Sequence, residues 1–188
     1  MPKLAPALLV TVSLALAAAG SQAAAPAAPP AAGGKSSPPV VGTAAPAAPA
    51  AQLIDAAGLG KLLGERRGRI VVLNLWATWC VPCLREIPDL VAVEKEFASR
   101  GVTLVGLGMD DPGALAEQVE PFRSKNFPAF RTWVRREPDM DALVSVVDPA
   151  WNEILPTTYL IGRDGKVVKK IQGKRTLEQF RELVLEAL

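Results

Sequence analysis

The chain is 188 residues long, 49% hydrophobic and 21% charged, with 21 Lys and Arg against 19 Asp and Glu, a length that fits one domain plus an extension. Two cysteines and no histidine exclude a Cys-His pair, a Ser-His-Asp triad, histidine-ligated haem or copper and the usual zinc ligand sets. Residues 1–51 hold 19 alanines and 9 prolines but only two charges, Lys3 and Lys35, so residues 52–188 carry 19 basic and 19 acidic side chains, a neutral balance with no electrostatic footprint for nucleic acid or an anionic membrane.

At the start, Lys3 precedes an apolar stretch from Leu4 to Ala19, which leads to the small residues Ser21-Gln22-Ala23-Ala24-Ala25. Sixteen residues are short for a membrane span, which needs about 20, and the order of charge, apolar run and small residues is that of a cleavable export signal over residues 1–25. Residues 26–51, rich in Ala and Pro, cannot bury enough apolar surface to offset the entropy of ordering, and read as a flexible linker. The domain is expected from 52 to 188.

Within it, Leu53–Leu63 reads as a short helix interrupted by Gly58 and Gly60, followed by a basic turn, Glu65-Arg66-Arg67-Gly68-Arg69, whose arginines are expected only to keep the turn solvated. Ile70–Trp76 is an apolar run broken only by Asn74, as expected for a strand buried on both faces. Leu84, Ile87, Leu90, Val91 and Phe97 then recur at helical spacing with charged residues between them, an amphipathic helix that Pro88 is expected to bend. Val102–Leu107 is a second buried strand, and Asp111 with Pro112 caps a helix expected to reach about Ser124. A strand over Phe130–Val134, a helix over Pro138–Val147, and a hairpin of Thr157–Ile161 with Lys166–Ile171 around Asp164-Gly165 follow. Thr176 with Gln179 forms a capping box for the last helix. Strands alternating with helices predict an α/β fold with a parallel sheet.

Cys80 and Cys83 lie in WATWCVPC, between the first buried strand and the amphipathic helix. A thiolate is the nucleophile in disulfide exchange, and a helix amino terminus favours the anion through its unpaired N–H groups and dipole. Cys80, in the first turn, is therefore the expected attacking thiol, and Cys83, one turn inside, the resolving thiol. Pro82 stiffens the turn between them. Two cysteines alone also admit a metal site, a structural disulfide worth roughly 2 kcal/mol over so short a loop, or unrelated buried thiols. An isolated CxxC at a strand-to-helix junction is the context of a redox motif.

The segment VVLNLWATWCVPCLREIP, Val71–Pro88, resembles the active-site segment of exported thioredoxin-fold thiol-disulfide oxidoreductases of the TlpA/ResA type. LPTTYLIGRDGKVV, Leu155–Val168, resembles their segment carrying a cis-proline. The resemblance implies a thioredoxin-like α/β fold, a central mixed sheet flanked by helices, with a helix-strand insertion between Asp111 and Val147. It implies that Pro156 is the cis-proline, that Trp79, Pro82, Leu155 and Thr157 contact substrate, and that Trp79 shields the dithiol. Trp76 and Trp151 are each readable as core or as part of the site. Asn74 stands where thioredoxins have a buried carboxylate, so that proton route is absent. Glu86 is expected on a solvated helix face, with a water-mediated proton relay as the alternative.

The resulting expectation is a monomeric, periplasmic or otherwise extracytoplasmic protein-disulfide reductase. An uncleaved signal acting as a membrane anchor is the lesser alternative. It has no cofactor beyond the Cys80–Cys83 couple, no metal and no nucleic-acid partner, and a membrane electron donor reduces it again. Family analogy implies targets in cytochrome c maturation or copper-oxidase assembly. A disulfide-forming oxidase of the same fold and a Cu(I)-binding chaperone without redox turnover are the competing readings.

Overall fold

The structure is a computed structural model that describes residues 47–188; the expected export signal and most of the expected linker lie outside the described residues. Six strands form one sheet in the order β1-β4-β3-β2-β5-β6. They are β1 (Gln52–Ile54), β2 (Ile70–Trp76), β3 (Val102–Gly108), β4 (Thr132–Arg135), β5 (Thr157–Ile161) and β6 (Val167–Gln172). The first four run parallel, and β5 and β6 form an antiparallel hairpin on the other side of β2. All residues of β2 and β3 are buried, as their unbroken apolar runs require of central strands covered on both faces. Helices α1 (Ala56–Gly64) and α4 (Met140–Val144) pack together, as do α2 (Val81–Phe97) and α5 (Leu177–Ala187), and these flank the sheet in a thioredoxin-like α/β arrangement.

The expected helix over Leu53–Leu63 is replaced at its start by β1. Asp55 caps α1 by accepting the Gly58 N–H at 2.7 Å, so Gln52–Ile54 stay extended and pair with Trp133–Arg135. Packing begins earlier still, since the Ala48 N–H donates to the Pro128 carbonyl at 2.7 Å and that of Ala51 to Glu120 Oε2 at 2.9 Å. The helix expected from Asp111 to Ser124 is composite: a 3-10 turn (Pro112–Ala114), a π-helical turn (Leu115–Val119) and α3 (Glu120–Asn126). Pro121 has no N–H to give the Glu117 carbonyl and its ring crowds that group, so the ladder loosens one turn earlier.

The following strand, β4, is inserted between β3 and β1, which gives the predicted helix-strand insertion its place in the sheet. Helix α2 runs unbroken through Pro88. The Thr176–Gln179 capping box opens α5, and Gly165, at φ 82°, turns the β5–β6 hairpin.

Candidate active site

Strand β2 ends at Trp76, and the loop that leaves it carries Cys80 to the amino terminus of α2. Cys80 is the N-cap residue rather than part of the first turn, and its sulfur accepts the Cys83 N–H at 3.3 Å. A disulfide joins the two across a Cα–Cα distance of 5.3 Å. Cys80 is 6% exposed and Cys83 fully buried, so only the first sulfur is near the surface. The short loop cannot carry much conformational constraint, which leaves exchange rather than stapling as the chemistry suited to this bond.

Trp79 is 61% exposed. Pro82 and Val81 are exposed beside it, and Trp76 is core, its indole N–H donating to Thr132 Oγ1 at 2.8 Å. The loop before Cys80 is held by residues the motif did not reveal. Buried Asp110 accepts the Thr78 N–H at 3.0 Å and its hydroxyl at 2.5 Å, while the Gln118 amide donates to that hydroxyl at 2.9 Å. Asp110→Ala would strand both Thr78 donors, so a loss of about 1–3 kcal/mol is expected in urea unfolding. An acidic residue two positions after β3 was the available signal, but its partner lies 32 positions away.

The antiparallel register pairs Leu75 with Thr157, placing the segment before β5 at the dithiol end of the sheet. The Leu155–Pro156 bond is cis. Ile154 is exposed, Leu155 half-buried and Pro156 buried. Thr157, expected to contact substrate, is fully buried. Its hydroxyl donates to the Ile154 carbonyl at 2.6 Å and accepts the Trp151 indole N–H at 3.3 Å, so both side chains brace this segment internally. Tyr159 donates to Asp148 at 2.8 Å, and Asp148 pairs with Lys170 at 2.7 Å; the lysine's hydrogen bond holds the Asp148 carboxyl below its ordinary range.

Glu86 overturns the expectation of a solvated helix face: it is fully buried. Three residues beyond Cys83, it shares that face of α2. Asn74 Nδ2 donates to its Oε1 at 2.9 Å and to Thr158 Oγ1 at 3.0 Å, and the Arg175 N–H donates to its Oε2 at 3.1 Å. Burial raises its carboxyl to about 7, against the hydrogen bonds from Arg175 and Asn74, which favour the anion. Periodicity placed Glu86 among charged neighbours, and only the packing of β2 and the turn before α5 around it reveals its burial. A buried carboxyl thus reaches Asn74 of β2 from α2.

A mixed sheet with a CxxC disulfide at the start of the helix after its central strand defines a thioredoxin-fold dithiol protein. The AhpC/TSA family matches residues 41–170. Thiol-disulfide oxidoreductase ResA of Bacillus subtilis (strain 168) is 33% identical over 129 residues, covering 69% of this chain and 67% of that protein. ResA of Geobacillus thermodenitrificans (strain NG80-2) is 31% identical over 135 residues, covering 72% of each. Among solved structures, a thioredoxin-family thiol:disulfide interchange protein from Chlorobium tepidum TLS is similar, with a TM-score of 0.55, 27% identity and coverage of 66% of this chain and 83% of that one. The chain belongs to the AhpC/TSA family and, within it, to the ResA/TlpA-like thiol-disulfide oxidoreductases, and its activity is that of a thiol-disulfide oxidoreductase.

Proposed function

We propose that the chain is exported by residues 1–25, carries a spacer over 26–51, and acts as a monomer that reduces disulfides of extracytoplasmic proteins. The Cys80 thiolate attacks a substrate disulfide, forming a mixed disulfide and releasing one substrate thiolate. Cys83 then loses its proton and attacks the Cys80 sulfur, which forms the Cys80–Cys83 disulfide and releases the second substrate thiolate with two electrons transferred. Glu86 accepts the Cys83 proton and returns it during re-reduction by a membrane electron donor. Trp79, Pro82 and Leu155, with Pro156 behind them, receive the substrate chain. Targets in cytochrome c maturation or copper-oxidase assembly, and the reducing direction itself, rest on the family resemblance.

One observation carries this reading: a near-surface sulfur and a buried sulfur share a helix start with a buried carboxyl whose proton is exchangeable near neutral pH. Cys83→Ala should accumulate mixed disulfides with extracytoplasmic proteins, and Cys80→Ser should trap none and lose insulin reduction. Identifying the trapped proteins tests the target class. A reduction potential at the strongly oxidising end, near about −120 mV, would reverse the direction of transfer.

A further inference from the structure

The neutral balance of the domain conceals a segregation of charge that its net value does not show. The carboxyl ends of the parallel strands carry the dithiol, and the same end carries the exposed acids Asp139, Asp141 and Glu153, whose carboxylate oxygens lie within 4.8 Å of one another. The opposite end is arginine-rich. Arg66, Arg67 and Arg69 precede β2, Arg100 precedes β3, Arg131 precedes β4 and Arg163 follows β5. Their juxtaposition is direct: Arg163 donates to the carbonyls of Gly68 and Arg100 at 2.8 and 3.0 Å, and burial, then Arg131 and Arg69, depress the Arg66 guanidinium against the opposing effect of Glu65 and Glu94.

Among the described residues none of these six arginines forms an ion pair with a carboxylate, and residues 1–46 contain no acid. The acids nearby each have another partner as well. Glu94 accepts the Leu104 N–H at 2.8 Å, Glu96 pairs with Arg181 at 2.7 Å, Glu65 faces Lys61 at 3.9 Å, and Asp164 accepts the Lys166 N–H at 3.0 Å. The chain enters the described domain at this same end, where Ala47 to Pro49 border a groove of about 890 Å³ whose charged lining is Arg66, Arg69, Lys95 and Arg131 against Glu65 and Glu94. The apolar stretch Leu4–Ala19 lies upstream of that point of entry.

We infer that this arginine-rich end is a docking surface for an anionic phospholipid membrane, and that docking turns the dithiol outward. Arg66 donates to the Leu62 carbonyl at 2.7 Å and lies over Trp133, and Arg100 lies over Phe97, but six guanidiniums without a carboxylate ion pair at one end of a sheet suit a plane of phosphate headgroups. The seven residues of β2 set the dithiol off from that plane by about 20 Å, within reach of partners in the aqueous phase. The inference rests on the proposed export only for which membrane is met. Its test does not involve the dithiol.

The experiment measures binding of the full chain to vesicles of phosphatidylcholine and of an equimolar mixture with phosphatidylglycerol, so that any contribution of the apolar stretch is common to both. Binding to the anionic vesicles should be stronger by roughly tenfold or more and should lose that margin at salt high enough to shorten the Debye length to about 3 Å. The triple variant Arg66→Ala, Arg69→Ala, Arg131→Ala should lose most of the margin, and the corresponding triple lysine variant should keep it. Removing Arg85, Arg136 and Lys174 at the dithiol end should also leave it intact. Equal binding to both vesicles, or an equal loss in that last variant, overturns the inference. So does displacement by inorganic phosphate at matched ionic strength, which marks a small-anion site. Insulin reduction by the triple alanine variant reports on the proposed function separately.

Discussion

Glu86→Gln is expected to slow the resolving step of disulfide exchange by roughly 100-fold, the range in which a positioned proton acceptor contributes, and to remove a pH-dependent contribution to stability. The sign of the second effect follows from the raised carboxyl. Its ordinary value is 4.5 and the fold raises it to about 7, so the folded state favours the protonated form. The stability this provides is fully present below about pH 4.5 and lost as the pH rises through about 7, a change on the order of 3 kcal/mol. The chain has no histidine and its cysteines are joined, so the side chains that ordinarily titrate near neutrality do not obscure this window in the oxidised protein. Urea unfolding across that range should show a decline in the wild type and a flat profile in Glu86→Gln. A wild-type profile that rises with pH, or an unchanged rate in the variant, contradicts the assignment of Glu86 as proton acceptor.

Gly106→Ala should destabilise the domain by about 3 kcal/mol, because overpacking a filled interior forces side chains off their rotamers. Gly106 lies in β3 opposite Thr132 of β4. A Cβ there would run into Phe130 Cζ and meet Thr132 Oγ1 at 2.8 Å and Thr132 Cβ at 2.9 Å. Neither neighbour is free to retreat. Phe130 is fully buried and packs edge-on against Trp76 at 5.5 Å between ring centroids, and the Thr132 hydroxyl accepts the Trp76 indole N–H. Displacing them would disturb the strand from which the dithiol loop leaves, so disulfide exchange should fall together with a drop in Tm of roughly 10 °C. Gly60→Ala is the comparison, because in α1 nothing lies within 4 Å of the added carbon. There the substitution should stabilise by up to about 1 kcal/mol. Equal Tm values for the two variants would show that the clash at Gly106 is relieved without strain.

Elements whose evidence is local were legible in the chain itself. The runs Ile70–Trp76 and Val102–Gly108, the capping box at Thr176 and the turn at Gly165 each follow from a few adjacent side chains, and each is found close to where it was expected. Elements that depend on a distant partner were less so. Gln52–Ile54 is too short to announce itself as a strand and becomes one because β4 offers a parallel edge. Trp151 and Thr157 are readable as site residues from their positions beside Pro156, yet their polar groups face each other. The π-helical turn at Leu115–Val119, which sets Gln118 over Thr78, follows from Pro121 only once the surrounding helix is seen.

The sequence by itself located the chemistry: two thiols and no histidine, set two residues apart where an apolar strand meets an amphipathic helix, are the context of a redox motif. Only the tertiary structure decided what surrounds it. Glu86 is buried because β2 and the turn before α5 close over its face of the helix, and a carboxyl acquires its proton affinity from that enclosure rather than from its place in the chain. Net charge behaves in the same way. Composition fixes its sum at zero for the domain, whereas the fold brings Arg66, Arg69, Arg100, Arg131 and Arg163 to one end of the sheet, because a sheet gathers residues far apart in sequence along each of its edges.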